Sequence, residues 1–208
     1  MRRSCDIVKA DSNRRFVVVS APGKKGKADR KITDLLHECY ACRLDEEKFE
    51  EVFSFIEKTF VEVASLVPDF PIVEEMKSVR KQICSVDAGL DFVLSRGEYV
   101  NAKIAAAYLG YEFLDAATFI RFSGGELDME ATRALASGID KDGRYVIPGF
   151  YGADERGTIK AFSRGGSDIT GAVVANVFGC DLYENWTDVD GIYVSDPKVI
   201  ENAKKALS

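Results

Sequence analysis

The stretch Phe162-Ser163-Arg164-Gly165-Gly166-Ser167-Asp168 places two glycines, a guanidinium, a hydroxyl and a carboxylate directly before the apolar run 169–178. Two glycines let a backbone turn tightly and come close to a ligand, and the free N–H groups of the helix start that follows attract an anion. Ser167 is placed to cap that helix and Asp168 falls in its first turn. Arg164 adds a planar fork suited to a carboxylate or a phosphate. Taken alone, the pattern is equally a glycine turn with a helix cap and a surface arginine. A second loop containing glycine, Trp186-Thr187-Asp188-Val189-Asp190-Gly191-Ile192-Tyr193, directly follows the next predicted strand, 182–186. Loops at the carboxyl ends of parallel strands gather on one side of an open sheet, so both loops are expected to face one cleft.

Other candidate groups carry less. Cys39 and Cys42 form a C-x-x-C with His37 nearby, but no second ligand pair follows, so packed or exposed helix thiols compete with a metal or redox site. Five cysteines without a framework fit reduced thiols and a cytoplasmic chain. With 46% hydrophobic and 30% charged residues, the 208-residue chain has the composition of a globular domain. A net charge of -6 argues against a general nucleic-acid or membrane-surface binder, and there is no signal-like segment or long apolar run.

The elements that must position these groups follow from periodicity. Phe16-Val17-Val18-Val19-Ser20 reads as a strand buried on both faces, followed by the basic loop 23–30 and a helix over 31–42. From Asp45, a candidate N-cap, apolar residues recur at three- and four-residue steps to Val67, giving a long amphipathic helix. Pro68 and Pro71 end it and start another, with a stripe of Ile72, Met76, Val79 and Ile83. A helix through 99–109, short strands near 113–114 and 119–122, a helix over 128–136, a strand at 145–147, a polar loop, a helix over 167–178 and a strand at 182–186 complete the pattern. Strands alternating with helices imply an α/β fold, with a mainly parallel sheet covered on both faces.

In the order and spacing of several stretches the sequence resembles the aspartate kinases, within the wider amino-acid kinase superfamily. The matching residues are 17–23 with 31–36, Ser95-Arg96-Gly97-Glu98, Ile147-Pro148-Gly149-Phe150, 163–170 and 186–197. Related kinases acting on glutamate, acetylglutamate or nucleoside monophosphates share a glycine-rich plan but not this combination. The resemblance implies a three-layer α/β/α sandwich of the amino-acid kinase, or carbamate kinase-like, type, spanning 1–208 as part of a catalytic domain, with a helical insertion over about 45–95. It implies that L-aspartate and ATP are the substrates, with Mg2+, giving ADP and 4-phospho-L-aspartate, the entry step to lysine, threonine and methionine.

Carried over residue by residue, Thr33, Glu98, Arg164 and Ser167 would line the aspartate pocket with Phe150 beside it. Arg164 would clamp the α-carboxylate and Glu98 would pair with the α-ammonium. Asp168 matches the catalytic aspartate, while Thr187, Asp188, Tyr193 and Lys198 match the nucleotide-binding stretch. The family's first strand with its Lys-Phe-Gly-Gly loop, a second lysine segment and the regulatory domains have no counterpart in 1–208. A catalytically inactive fragment keeping the fold and a partial ligand site, or a related kinase of different specificity, is therefore the alternative expectation. Apolar surface beside residues 16–20 is expected to be exposed, favouring low solubility or dimerisation, and full-length relatives are expected to be homo-oligomers, with the 45–67 helix a candidate contact.

Overall fold

The computed structural model describes residues 1–24, 26, 29–163 and 165–186. Its centre is a parallel three-stranded sheet of β1 (Phe16–Val19), β5 (Tyr145–Pro148) and β2 (Glu112–Phe113), with β5 in the middle. The register pairs Phe16 with Tyr145 and Val19 with Pro148 on one side of β5, and Glu112 with Tyr145 on the other. All four residues of β5 are buried, which is why its sequence is an unbroken apolar run.

Side chains alternate across β1 and meet different helices. Phe16 and Val18 join the core of α7 (Gly166–Phe178), where the Phe16 and Phe178 rings stack at 4.3 Å between centroids. Val17 and Val19 join the core of α1 (Arg2–Lys9) and α5 (Leu90–Leu109) on the opposite face. This is the three-layer α/β/α arrangement expected from the sequence.

Three further helices, α2 (Ile32–Cys42), α3 (Glu46–Ala64) and α4 (Ile72–Ile83), pack with α5 around Phe49, Phe53, Ile56, Phe60 and Met76. Each large side chain buried there contributes about 1.5–3 kcal/mol. The Asp45 carboxylate accepts from the Lys48 N–H at 3.3 Å and caps α3 as expected. Cys39 lies in this core with its thiol pushed up to about 12 by burial, and Cys42 donates weakly to the Cys39 carbonyl, so both are packed thiols. No helix among the described residues is long and apolar enough to cross a membrane.

Several expectations need correction. The helix expected from residue 99 begins at Leu90, because Ser95, Arg96 and Glu98 are buried polar residues inside it rather than a loop. The strand expected at 119–122 is shorter and later: a 3-10 turn over 116–118 precedes it, and β3 starts only at Arg121 (Arg121–Ser123). That strand turns through Gly124 and Gly125, both at positive φ, into β4 (Glu126–Asp128). The Asp128 carboxylate then caps α6 (Met129–Ala136) through the Ala131 N–H. The polar loop expected after β5 contains β6 (Tyr151–Asp154) and β7 (Ile159–Ala161), which complete a second, mixed sheet in the order β4-β3-β6-β7. Residues 182–186, expected as a strand, join no ladder among the described residues.

Gly97 is where α5 meets the rest of the site. A Cβ there would lie 3.1 Å from both the Ala21 Cβ and the Ile32 Cγ2. Gly97→Ala is therefore expected to lower stability by about 1–3 kcal/mol in a denaturant melt, whereas Gly138→Ala, whose Cβ would make an ordinary contact of 3.8 Å with the Leu135 carbonyl oxygen, stays within about 0.5 kcal/mol.

Candidate functional site

At the carboxyl ends of β1 and β5 the chain is drawn together by two glycines. The Gly149 N–H donates to the Val19 carbonyl at 2.9 Å, and a Cβ on Gly149 would sit 2.6 Å from the Ser167 Oγ. A Cβ on Gly166 would sit 2.8 Å from the Phe150 Cα. No larger residue at either position allows the first turn of α7 to reach the end of β5. Between the two glycines, Phe150 has φ 80°, a conformation that costs a non-glycine residue about 1–3 kcal/mol. It is held from both sides. Its N–H donates to the Thr170 Oγ1 at 3.1 Å, and its carbonyl accepts from the Phe162 N–H at 2.8 Å. Thr170, wholly buried, donates in turn to the Gly166 carbonyl at 2.7 Å.

The helix cap differs from expectation. Gly165, at φ 59°, is the N-cap of α7, and no side chain caps the helix, so Ser167 stands inside the first turn with its hydroxyl free of that task. The exposed Asp168 follows it. The Asp168 Oδ1 accepts from the Asn185 Nδ2 and its main-chain carbonyl from the Tyr183 hydroxyl, both at 3.3 Å. Ser20, Ser167 and Asp168 line one cleft of about 500 Å³.

Glu98 is the other charged candidate, and it is 5% exposed. Backbone N–H groups of Ala21 and of Glu98 itself favour its ionised form, but burial outweighs them and pushes the carboxyl up to about 7. Its Oε2 has no hydrogen-bond partner among the described residues. The nearby Arg96 does not neutralise it. Two residues apart on a helix is about 200° of rotation. The Arg96 guanidinium instead lies between the Phe92 and Tyr99 rings, 4.2 Å from each, and bonds to the Phe92 carbonyl and the Ser95 Oγ. Thr33 is half-buried in the first turn of α2, beside Ile32, which touches Gly97.

The structure thus groups Phe150, Ser167 and Asp168 on the α7 side of the strand ends, and Glu98 and Thr33 around Ala21 and α5. Arg164, Thr187, Asp188, Tyr193 and Lys198 lie outside the described residues. Sequence reasoning passed over Thr170, and also Asn101, whose Nδ2 donates to the Ser20 carbonyl at 2.7 Å one turn after Glu98. The available signals were a threonine four residues after a helix-start glycine, and a polar residue on the Glu98 face of a helix otherwise rich in alanine.

A family model described as the amino acid kinase family matches residues 1–208. Aspartokinase 3 of Bacillus subtilis is 35% identical over 215 residues, covering 96% of this chain and 47% of the relative. The aspartate kinase of Clostridium acetobutylicum superposes with a TM-score of 0.87 at 40% identity, over 98% of this chain and 48% of that one. E. coli aspartokinase III, solved in complex with aspartate and ADP, superposes with a TM-score of 0.81 at 26% identity, over 99% and 49%. The chain spans about half the length of these relatives.

The Glu98 carboxyl gives a stability signature of its own. Its folded value of about 7 exceeds its ordinary 4.5, so the folded chain binds more protons than the unfolded chain between those values. The stability contributed by the neutral form is complete below about pH 4.5 and is lost as the pH rises to about 7. At about pH 8, Glu98→Gln is expected to be more stable than the parent by on the order of 3 kcal/mol, with the difference vanishing towards pH 4.5 in paired denaturant melts.

Proposed function

This chain belongs to the amino acid kinase family, and on that premise we propose that it carries the substrate pocket of an aspartate kinase, which transfers the γ-phosphoryl group of ATP to the side-chain carboxylate of L-aspartate. The observation that carries the reading is the buried Glu98 carboxylate, with one oxygen unpartnered among the described residues, beside the carboxyl ends of parallel strands. A buried acid without a counter-ion is a receptor for a cation, and the α-ammonium of an amino acid is one of suitable size. Arg164, in the glycine turn, supplies the opposite charge for the α-carboxylate. Thr33, Phe150 and Ser167 complete the pocket. Similarity to proteins named aspartokinase, one of them solved with aspartate and ADP, supports the choice of ligands.

The acceptor carboxylate is already ionised at neutral pH, so the reaction requires positioning and charge neutralisation rather than a base. One of its oxygens bonds to the γ-phosphorus as the bond from phosphorus to the bridging oxygen breaks, giving ADP and 4-phospho-L-aspartate. The N–H groups of the first turn of α7 face the developing charge, and Asp168 holds the surrounding cationic groups in place. Thr187, Asp188, Tyr193 and Lys198 are assigned to the nucleotide on their sequence pattern. The described residues contain no cluster of three or more metal-ligating side chains. A magnesium ion carried largely by the nucleotide's phosphates and by water would neutralise phosphate charge. The chain is read as part of a catalytic domain, with the helices over about residues 45–95 as an insertion.

Titration calorimetry with aspartate, glutamate and ATP–magnesium, alongside a coupled assay of ADP formation, tests this reading. Arg164→Ala is expected to weaken aspartate binding by about 100-fold or more while leaving nucleotide affinity within about 2-fold. Equal aspartate affinity in parent and variant, or a preference for glutamate, would sink the assignment.

A further inference from the structure

α3 turns one face to the helical core through Phe49, Phe53, Ile56 and Phe60. On the other side of the helix, about 150° away at about 100° per residue, a second stripe runs through Lys48, Glu51, Phe55, Lys58 and Glu62. All of these are exposed. Their alternating steps of three and four residues are the spacing at which two helices meet along a common seam.

The chain has 13 phenylalanines, and every other one is buried or half-buried, whereas Phe55 is 51% exposed. A single exposed ring needs no explanation of its own. The order of the charges around it carries more. Lys48 precedes Phe55 by the same interval at which Glu62 follows it, and Glu51 and Lys58 flank the ring one turn away on either side. Signs are therefore opposite at matching distances before and after Phe55.

That order distinguishes two ways of laying this helix on its own copy. A parallel pair sets Lys48 against Lys48 and Glu51 against Glu51, like against like along the whole seam. An antiparallel pair crossing at Phe55 sets Lys48 against Glu62 and Glu51 against Lys58, each pairing repeated by the two-fold axis. The ion pair that Lys48 makes with Asp45 at 3.0 Å leaves its side chain 72% exposed, so the ammonium stays within reach of a second copy.

We propose that this face of α3 is a docking surface for a second copy of the chain, the two helices packing antiparallel about a two-fold axis at Phe55. The two Phe55 rings meet at the centre, with ion pairs on both sides and the helix axes about 8–10 Å apart. Apolar contact at the centre supplies most of the affinity, while the charges fix the direction and exclude the parallel arrangement. One helix pair buries less than the roughly 1,200 Å² of a stable interface, so the association is weak, with a Kd on the order of 100 µM. The surface shares no residue with the substrate pocket and is independent of the reaction proposed above.

Sedimentation equilibrium of the whole chain at low ionic strength, up to about 1 mM, measures the association. Phe55→Ala is expected to weaken it by about 10-fold or more. Glu51→Lys and Lys58→Glu each set like charges against one another in their own dimers, and each is expected to weaken association by about 5-fold or more. An equimolar mixture of those two variants restores opposite charges across the seam and is expected to associate within about 3-fold of the parent. Because the substituted residues are exposed, thermal melts of all the variants are expected to coincide with that of the parent. A chain that stays monomeric to about 1 mM overturns the proposal and leaves the face to solvent or to an unrelated partner. A dimer that Phe55→Ala leaves intact, or a mixture that associates no more tightly than its two components, also overturns it and assigns the contact to another surface.

Discussion

Keeping the Glu98 carboxyl out of water costs free energy that the surrounding structure has to outweigh. The compensation comes from the helix that carries it. α5 buries eleven of its residues, among them Val93, Val100, Ala102, Ile104 and Ala105, against the helical core on one side and the sheet on the other. Gly97 then lets that helix approach Ala21 and Ile32 closely enough to exclude water from the acid next to it. Arg96, a buried cation on the same helix, is kept away from Glu98 by a sandwich of Phe92 and Tyr99. A structure under pressure for stability alone would pair these charges or replace both with apolar groups. Holding them apart leaves Glu98 without a counter-ion at the strand ends, which is the physical basis for the proposed assignment of the site to a ligand with a positive group.

The α7 side of the strand ends rests on a clasp between Gly149, Phe150, Gly166 and Thr170. Phe150 keeps its positive φ because both of its main-chain groups are bonded, to Thr170 and to Phe162. Thr170 ties that strained residue to the start of α7, so the end of β5 and the helix amino terminus behave as one unit. Ser167 and Asp168 are carried on this unit, and Asp168 is held further by the Asn185 amide and the Tyr183 hydroxyl.

The sequence made the layers of the fold legible wherever one physical signal dominated. The unbroken apolar runs of β1 and β5 and the three- and four-residue steps of α3 and α4 each allow one interpretation. The second sheet was less visible. Tyr151-Gly152-Ala153-Asp154 has small residues where a strand usually shows branched ones, because a Cβ on Gly152 would fall 2.6 Å from the Ile120 carbonyl oxygen. The β3–β4 turn went unread, although Gly124-Gly125 is the kind of glycine pair that a tight hairpin requires. The start of α5 was hidden because Ser95, Arg96 and Glu98 look solvated in sequence and are buried in space. Residues 182–186 have the pattern of a strand, yet pattern alone does not supply a neighbour to pair with.

For the site, the glycine turn and the residues around Ser167 were apparent from spacing, whereas the lack of a partner for Glu98 emerged only from packing. The account turns on that carboxyl. Carbon-13 NMR titration of Glu98 in the free chain and in the presence of aspartate measures it directly. The account predicts a midpoint near 7 in the free chain, displaced downwards when aspartate brings an ammonium group to the pocket. A midpoint near 4.5 in the free chain, or one that aspartate leaves unmoved, would contradict it.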